Sequence, residues 1–375
     1  MDLLYLDHNA SSPVAPEVVA AMQPWLAHCG NPSSQHAWGR QAADAIALAR
    51  AQVARLLGCA ENEVLFTRGG TESDNLAILG LCDPSRPAHA VCSAIEHPAV
   101  LRTMEFLASR GWQVDRIGVD GNGVIDVRQL ETALRPETRL VSVMLANNEV
   151  GSLQPVAEIS RLVRARGILL HSDAAQAVGK HRVKVDELGV DLLTVAGHKL
   201  NAPIGVGALY VRQGVELQPL FHGANHERGL RPGTPNVLEI VGLGAAAGRF
   251  EREETAILAG YTALRDHFEE LLLARVPRVR INSRNTPRLA NTSSVAFEGI
   301  TSGALMATCP GVAASAGAAC HKDHTEPSHV LAAMGLPLES IASTLRFSVG
   351  LGTTREMLVE AVERLAAAVQ SLRNQ

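Results

Sequence analysis

A lysine beside a histidine, His198-Lys199, stands directly after the apolar run Leu192-Leu193-Thr194-Val195 and shortly before Gly205-Val206-Gly207. A lysine just past a buried strand, next to backbone that packs closely, loses its proton more readily because desolvation disfavours the ammonium. Only the neutral amine attacks a carbonyl, so this is the placement a Schiff-base enzyme requires. A solvated loop lysine is the ordinary alternative, and an isolated His-Lys pair would not displace it.

Other segments supply complementary chemistry. Gly69-Gly70-Thr71-Glu72-Ser73 follows a strand ending at Phe66 and opens a helix through Asn75-Leu76-Ala77-Ile78. Glycines let the backbone approach a ligand, Thr71 and Ser73 offer hydroxyls, and the free amides of a first helical turn attract an anion such as phosphate. Asp173, in His171-Ser172-Asp173-Ala174-Ala175-Gln176, could pair with a protonated pyridine nitrogen, and Gln176 with a ring hydroxyl oxygen. His97, in Glu96-His97-Pro98, could stack on a ring and move protons. Asn148, in Asn147-Asn148-Glu149, ends a further strand and could reach the same ring. Each has a structural alternative: a glycine turn with a threonine cap, an N-cap aspartate, a satisfied histidine or asparagine. Together, five strand ends carry the polar groups that one cofactor, pyridoxal phosphate, needs.

The elements that must position these groups are legible as alternation. Apolar, β-branched runs predict strands at Val64–Phe66, Ala90–Cys92, Leu140–Leu145, Ile168–His171, Leu192–Val195 and Ala208–Val211. Amphipathic stretches at Asp44–Leu57, Pro98–Ser109 and Val156–Arg166 lie between them. Such alternation predicts an α/β fold with a mainly parallel sheet, whose ligands sit beyond the carboxyl ends of the strands. From about Glu251 the texture changes to a long charged helix, short strands near Val295–Phe297 and Leu345–Val349, and a closing helix from about Arg355. The expected organisation is a large cofactor-binding domain over 15–250 and a smaller α+β domain over 251–375, joined by the N-terminal segment 1–14.

Composition narrows the function classes. With 46% apolar and 19% charged residues, the chain reads as globular rather than disordered. A net charge of −4 gives no reason to expect nucleic acid or an anionic membrane as partner. No apolar run is long enough to span a bilayer, and Met1–Tyr5 shows no signal-peptide pattern. Six scattered cysteines without a CxxC pair suggest reduced thiols and a cytoplasmic location.

Two residues in the last third add reactivity. Cys320, in Ser315-Ala316-Gly317-Ala318-Ala319-Cys320, is flanked by small residues, and Lys322 and nearby histidines favour its thiolate. An inert buried cysteine is the commoner fate, and a metal site with His321, His324 and His329 is a weaker rival because its spacing fits no structural zinc pattern. Arg346 lies inside the apolar run Leu345-Arg346-Phe347-Ser348 and needs an anion: a substrate carboxylate or a local acid.

Tyr5 to Ala10, Gly30 to Ser34, Gly69 to Asn75, Glu96-His97, Ala146 to Gly151, Ser172 to Gln176, Gly197-His198-Lys199, Arg231 to Thr234 and Ser315 to Cys320 resemble, in register, the class V aminotransferase-fold cysteine desulfurases and selenocysteine lyases. The resemblance implies the fold type I architecture of pyridoxal phosphate enzymes, with a seven-stranded sheet, in a homodimer. It implies removal of sulfur from L-cysteine, or selenium from L-selenocysteine, to leave L-alanine. On that basis Lys199 holds the cofactor and takes the α-proton. Gly70, Thr71 and His198 bind phosphate, with Thr234 reaching across from the other subunit. His97, Asn148, Asp173 and Gln176 surround the ring, and His97 takes part in proton transfer. Arg346 and Asn148 hold the substrate. Cys320 becomes a persulfide and hands sulfur to an acceptor protein.

The chain departs from the pattern at Ala196, where the family often has serine, at Asn201-Ala202-Pro203-Ile204, which lacks a cation, and at Leu351, where arginine is common. Gly197-His198-Lys199, Arg231-Pro232-Gly233-Thr234 and Ala318 to His321 lean towards selenocysteine lyases. His97-Pro98 and the spacing from Cys320 to Glu326-Pro327-Ser328-His329 lean towards nitrogen-fixation-type desulfurases. Cysteine desulfurase is the leading expectation and selenocysteine lyase the alternative. A plain β-lyase and a weakly active sulfur-relay scaffold are further rivals. The acceptor is left open between an iron–sulfur scaffold, a tRNA-thiolation protein and a cofactor pathway.

Overall fold

A computed structural model describes residues 3–316 and 327–374 of the chain. Seven strands form one sheet: β1 (Val64–Thr67), β2 (His89–Ser93), β3 (Gln113–Ile117), β4 (Thr138–Ser142), β5 (Leu169–Asp173), β6 (Leu192–Ala196) and β7 (Gly207–Val211). Their order is β1-β7-β6-β5-β4-β2-β3, and only β7 runs antiparallel to its neighbours. Six of the seven are buried along their whole length or all but one residue of it, as parallel sheets covered on both faces require. The apolar runs of the sequence mark all of them except β3. That strand sits at the edge, pairs with one neighbour, and exposes Gln113 and Arg116, so it carries no apolar signature.

Helices cover the sheet. Those used below are α1 (Ala37–Leu57), α2 (Gly70–Leu81), α3 (Pro98–Ser109), α4 (Val156–Arg164), α5 (Val237–Arg275) and α6 (Arg355–Arg373). The expected charged helix near 251 begins well upstream, at Val237, so the boundary expected at 250/251 falls inside it. The segment Gly242-Leu243-Gly244 has poor intrinsic helix propensity. Packing overrides this: a side chain at Gly244 would lie 2.5 Å from the Ala49 backbone of α1, so the small residues let the two helices touch.

The first half of α5 joins the core of the large sheet through Ile240, Leu243 and Phe250. Its second half places Phe268 and Leu272 in a second core. That core also backs the antiparallel sheet β10-β9-β8, made of β8 (Val279–Asn282), β9 (Thr292–Phe297) and β10 (Thr344–Ser348), with α6 on the same side. Phe268 and Phe347 pack at a tilt of 54° with ring centroids 5.0 Å apart.

The N-terminal segment ties both cores to the site. Leu4–Tyr5 pairs in parallel with Val312–Ala313. Leu6 accepts from the Ser348 amide of β10 at 2.7 Å, and Ser12 donates its amide to the His198 carbonyl at 2.9 Å.

Candidate active site

The carboxyl ends of β1, β2, β4, β5 and β6 open into one cavity of about 380 Å³. Gly70 and Thr71 enter it after β1, His97 after β2, Asn148 after β4, Asp173 at the end of β5 and Gln176 just beyond it, and His198 and Lys199 after β6. Arg346 enters from β10 of the small sheet. Nine of the expected site residues therefore share one volume, and the strand-end rule for α/β sheets holds here.

Local sequence explains each placement. Lys199 closes a single 3₁₀ turn, Gly197–Lys199, whose Gly197 amide donates to the Val206 carbonyl at 3.0 Å. The turn leaves through Asn201 in the left-handed region (φ 61°), held by its side-chain amide donating to the Pro13 carbonyl at 2.9 Å. At Gly69 (φ 143°) the backbone adopts a conformation closed to other residues, and α2 starts with no side-chain cap on its first amides. Thr71 is exposed in that first turn.

Electrostatics separates the roles. His97 caps α3, its Nδ1 accepting from the Ala99 amide at 3.1 Å, so in the neutral ring the proton resides on Nε2. Burial lowers its pKa, Asp173 opposes that shift, and Lys199 and His329 add to it. Asp173 accepts from the Ala175 amide at 2.8 Å and still lines the cavity, so capping the turn does not remove it from the site. Burial, with Lys199 and Lys180 nearby, pushes His198 down to about 4, so the imidazole is neutral.

Sequence reasoning left several cavity groups without a role. Asp74 is 1% exposed on α2 and its Oδ1 has no hydrogen-bond partner among the described residues; His171 Nε2 approaches it at 3.6 Å. Burial first, then the Asp173 charge, raises Asp74 far above the carboxylate range. Asp74 stood inside the Gly69–Asn75 motif, but nothing in its spacing distinguished it from a solvated helix residue. Glu149 is also buried and raised by burial, with Oε2 accepting from Ser328 Oγ at 2.5 Å. His329, weighed above as a metal ligand, lines the cavity with Nε2 3.0 Å from the Glu96 carbonyl.

Arg346 has found a local acid. Its Nη2 donates to Asp7 Oδ1 at 2.7 Å and its Nη1 to the Asn148 carbonyl at 2.9 Å, while Nε has no partner among the described residues. Thr234 does not reach this cavity; it lines a second one of about 150 Å³ with Arg68, Arg231 and Glu239. Cys320, and the His321 and His324 of the metal alternative, lie outside the described residues. The chain enters that stretch from Ser315, paired with Arg346 backbone to backbone, and leaves it at Ser328.

The donor set fits pyridoxal phosphate: an amine, an acid for a ring nitrogen, an amide for a ring oxygen, and a helix amino end with a hydroxyl for a phosphate. A pyridoxal phosphate enzyme is the class this fold and this cavity define. The chain matches the model of the aminotransferase class-V family over residues 4–362. It is 44% identical to a cysteine desulfurase of Trichormus azollae, over 100% of this chain and 94% of that protein. A solved NifS-like protein superposes with a TM-score of 0.91 at 33% identity, covering 99% of this chain and 100% of that one. A structure described as SspA in complex with cysteine gives a TM-score of 0.83 at 36% identity, covering 92% and 98%. The chain belongs to the aminotransferase class-V family and, within it, to the pyridoxal phosphate-dependent cysteine desulfurases.

Proposed function

We propose that this chain removes sulfur from L-cysteine, leaves L-alanine and carries the sulfur as a persulfide on Cys320. The observation that carries the reading is the single cavity shared by Lys199, Asp173, His97 and Arg346. The chemistry that pyridoxal phosphate supplies when bound is an electron sink for charge developing at the substrate. Lys199 holds the cofactor through its amine and moves the substrate α-proton. Asp173 and Gln176 hold the ring; Gly70, Thr71 and His198 hold the phosphate. His198 serves as a neutral donor, which suits a phosphate already faced by helix amides. His97, uncharged with its proton on Nε2, exchanges protons at the substrate.

Arg346 takes the substrate carboxylate beside Asn148. Its guanidinium lines the cavity, and Asp7 fixes its plane. The Cys320 thiolate attacks the substrate sulfur. An S–S bond forms as the substrate Cβ–S bond breaks, the electron pair stays on carbon, and a proton completes the alanine methyl group. A thiol on an acceptor protein then collects the outer sulfur. The active form is a homodimer, in which Thr234 completes the phosphate site of the opposite subunit.

Alanine release from L-cysteine and L-selenocysteine, with wild type and Cys320→Ser in parallel under reductant, tests the reading. Wild type is expected to act on cysteine and Cys320→Ser to bind cysteine without releasing alanine. Full desulfuration by Cys320→Ser removes the nucleophile assignment. Lys199→Ala is expected to lose the absorbance band at the edge of the visible range.

A further inference from the structure

Lys180 lies four residues beyond Gln176, in the turns that follow β5, and is 3% exposed. Its Nζ donates to Gln176 Oε1 at 2.8 Å. Burial lowers its pKa well below the lysine range, and the charged groups acting on it, Lys199 from the 3₁₀ turn and Arg346 from β10, are both cations. His8, from the N-terminal segment, is in turn lowered to about 4 by burial and by Lys180. An ammonium there would lose its water and face repulsion, so burial and the neighbouring cations both disfavour the charged form.

The other end of the Gln176 carboxamide is also fixed. Its Nε2 donates to the Asn9 carbonyl at 2.9 Å. A backbone carbonyl only accepts, so the nitrogen must face Asn9 and the oxygen must face Lys180. A flipped carboxamide would set two oxygens against each other and leave the Lys180 N–H bonds unmet. One N–H is then the only donor Gln176 has left for the cavity it lines.

We propose that Lys180 is a positioning residue: it locks the Gln176 carboxamide so that an N–H, rather than a C=O, meets the ring oxygen of bound pyridoxal phosphate. This rests on the reading that Gln176 contacts that oxygen. The lock matters because an anionic ring oxygen is stabilised by a donor and repelled by a carbonyl. Without Lys180 the Gln176 oxygen loses its partner, and the side chain turns to recover one from the cavity.

The test titrates the absorbance of the bound cofactor against pH in Lys180→Met, Gln176→Ala and the double variant, and measures cofactor affinity by reconstituting each apoprotein. Lys180→Met is expected to move the spectral midpoint up by roughly 0.5–1 in pH, the size of one hydrogen bond. The direction follows because an unsupported anionic oxygen holds the neighbouring proton more tightly. Affinity is expected to fall about threefold to tenfold. Gln176→Ala should move the midpoint the same way, and the double variant no further than either. Lys180→Ala replaces the methionine variant should that fail to fold. A shift by Gln176→Ala with none by Lys180→Met overturns the Lys180 role and leaves the Gln176 reading intact. Additive shifts overturn the relay, and no shift in any variant overturns both.

Discussion

At the scale of the residue, the cavity holds more acid than its cofactor needs. Asp74 and Asp173 share it, and burial together with the Asp173 charge pushes Asp74 well above the carboxylate range. Asp74→Asn, which imitates the protonated carboxyl, is expected to hold cofactor affinity within about threefold of wild type. Asp173→Asn, which removes the charge-assisted bond proposed for the ring nitrogen, is expected to weaken it on the order of tenfold to a hundredfold, read by equilibrium dialysis of the cofactor. Glu96 offers a stability test. Burial pushes it up to about 8, against hydrogen bonds from Ser93 and the Met144 amide. An acid whose folded pKa is raised binds its proton more tightly in the native state. Its contribution is full below pH about 4.5 and is lost as pH rises through about 8. Thermal melts should therefore show wild type losing ground to Glu96→Gln between pH 5 and pH 8 as an order-of-magnitude window; parallel melting curves across that range would mean Glu96 titrates normally.

At the scale of the element, the turn proposed to face the phosphate depends on a strand beneath it. A side chain at Gly207 of β7 would lie 2.6 Å from the Val195 carbonyl and 2.7 Å from Gly69 Cα. Gly207→Ala must displace the Gly69–Gly70 turn or strain β7. The expected result is a loss of about 1–3 kcal/mol in stability, with cofactor affinity falling alongside it, measured by denaturant unfolding and reconstitution. Unchanged affinity in a destabilised variant would show that the turn does not carry the phosphate. The elements most legible beforehand were those whose signal is local: α3 matches the expected Pro98–Ser109, and the strand ends carry the expected polar groups. Edge strand β3 and the glycine-rich start of α5 were not legible. One has a single neighbour and polar residues; the other owes its helix to contact with α1.

At the scale of the whole molecule, Thr234 and Thr71 line different cavities of one chain. The proposed homodimer predicts complementation. A heterodimer of Lys199→Ala and Thr234→Ala contains one site with both defects and one with neither. Mixed subunits should regain alanine release at limiting cofactor, while each variant alone stays impaired; no recovery would mean Thr234 acts within its own chain, if at all. Among the described residues no helix is long and apolar enough to cross a membrane.

Strand identities, the lysine after β6 and the glycine turn before α2 could be read from the sequence, because apolar runs and turn residues act over a few positions. Only the folded chain decided that Arg346 meets Asp7, 339 residues away, that Lys180 grips Gln176 rather than solvent, and that Asp74 lies beside Asp173. Those pairings arise from packing between distant segments, and burial then sets the charge of each group, which neither residue type nor spacing encodes.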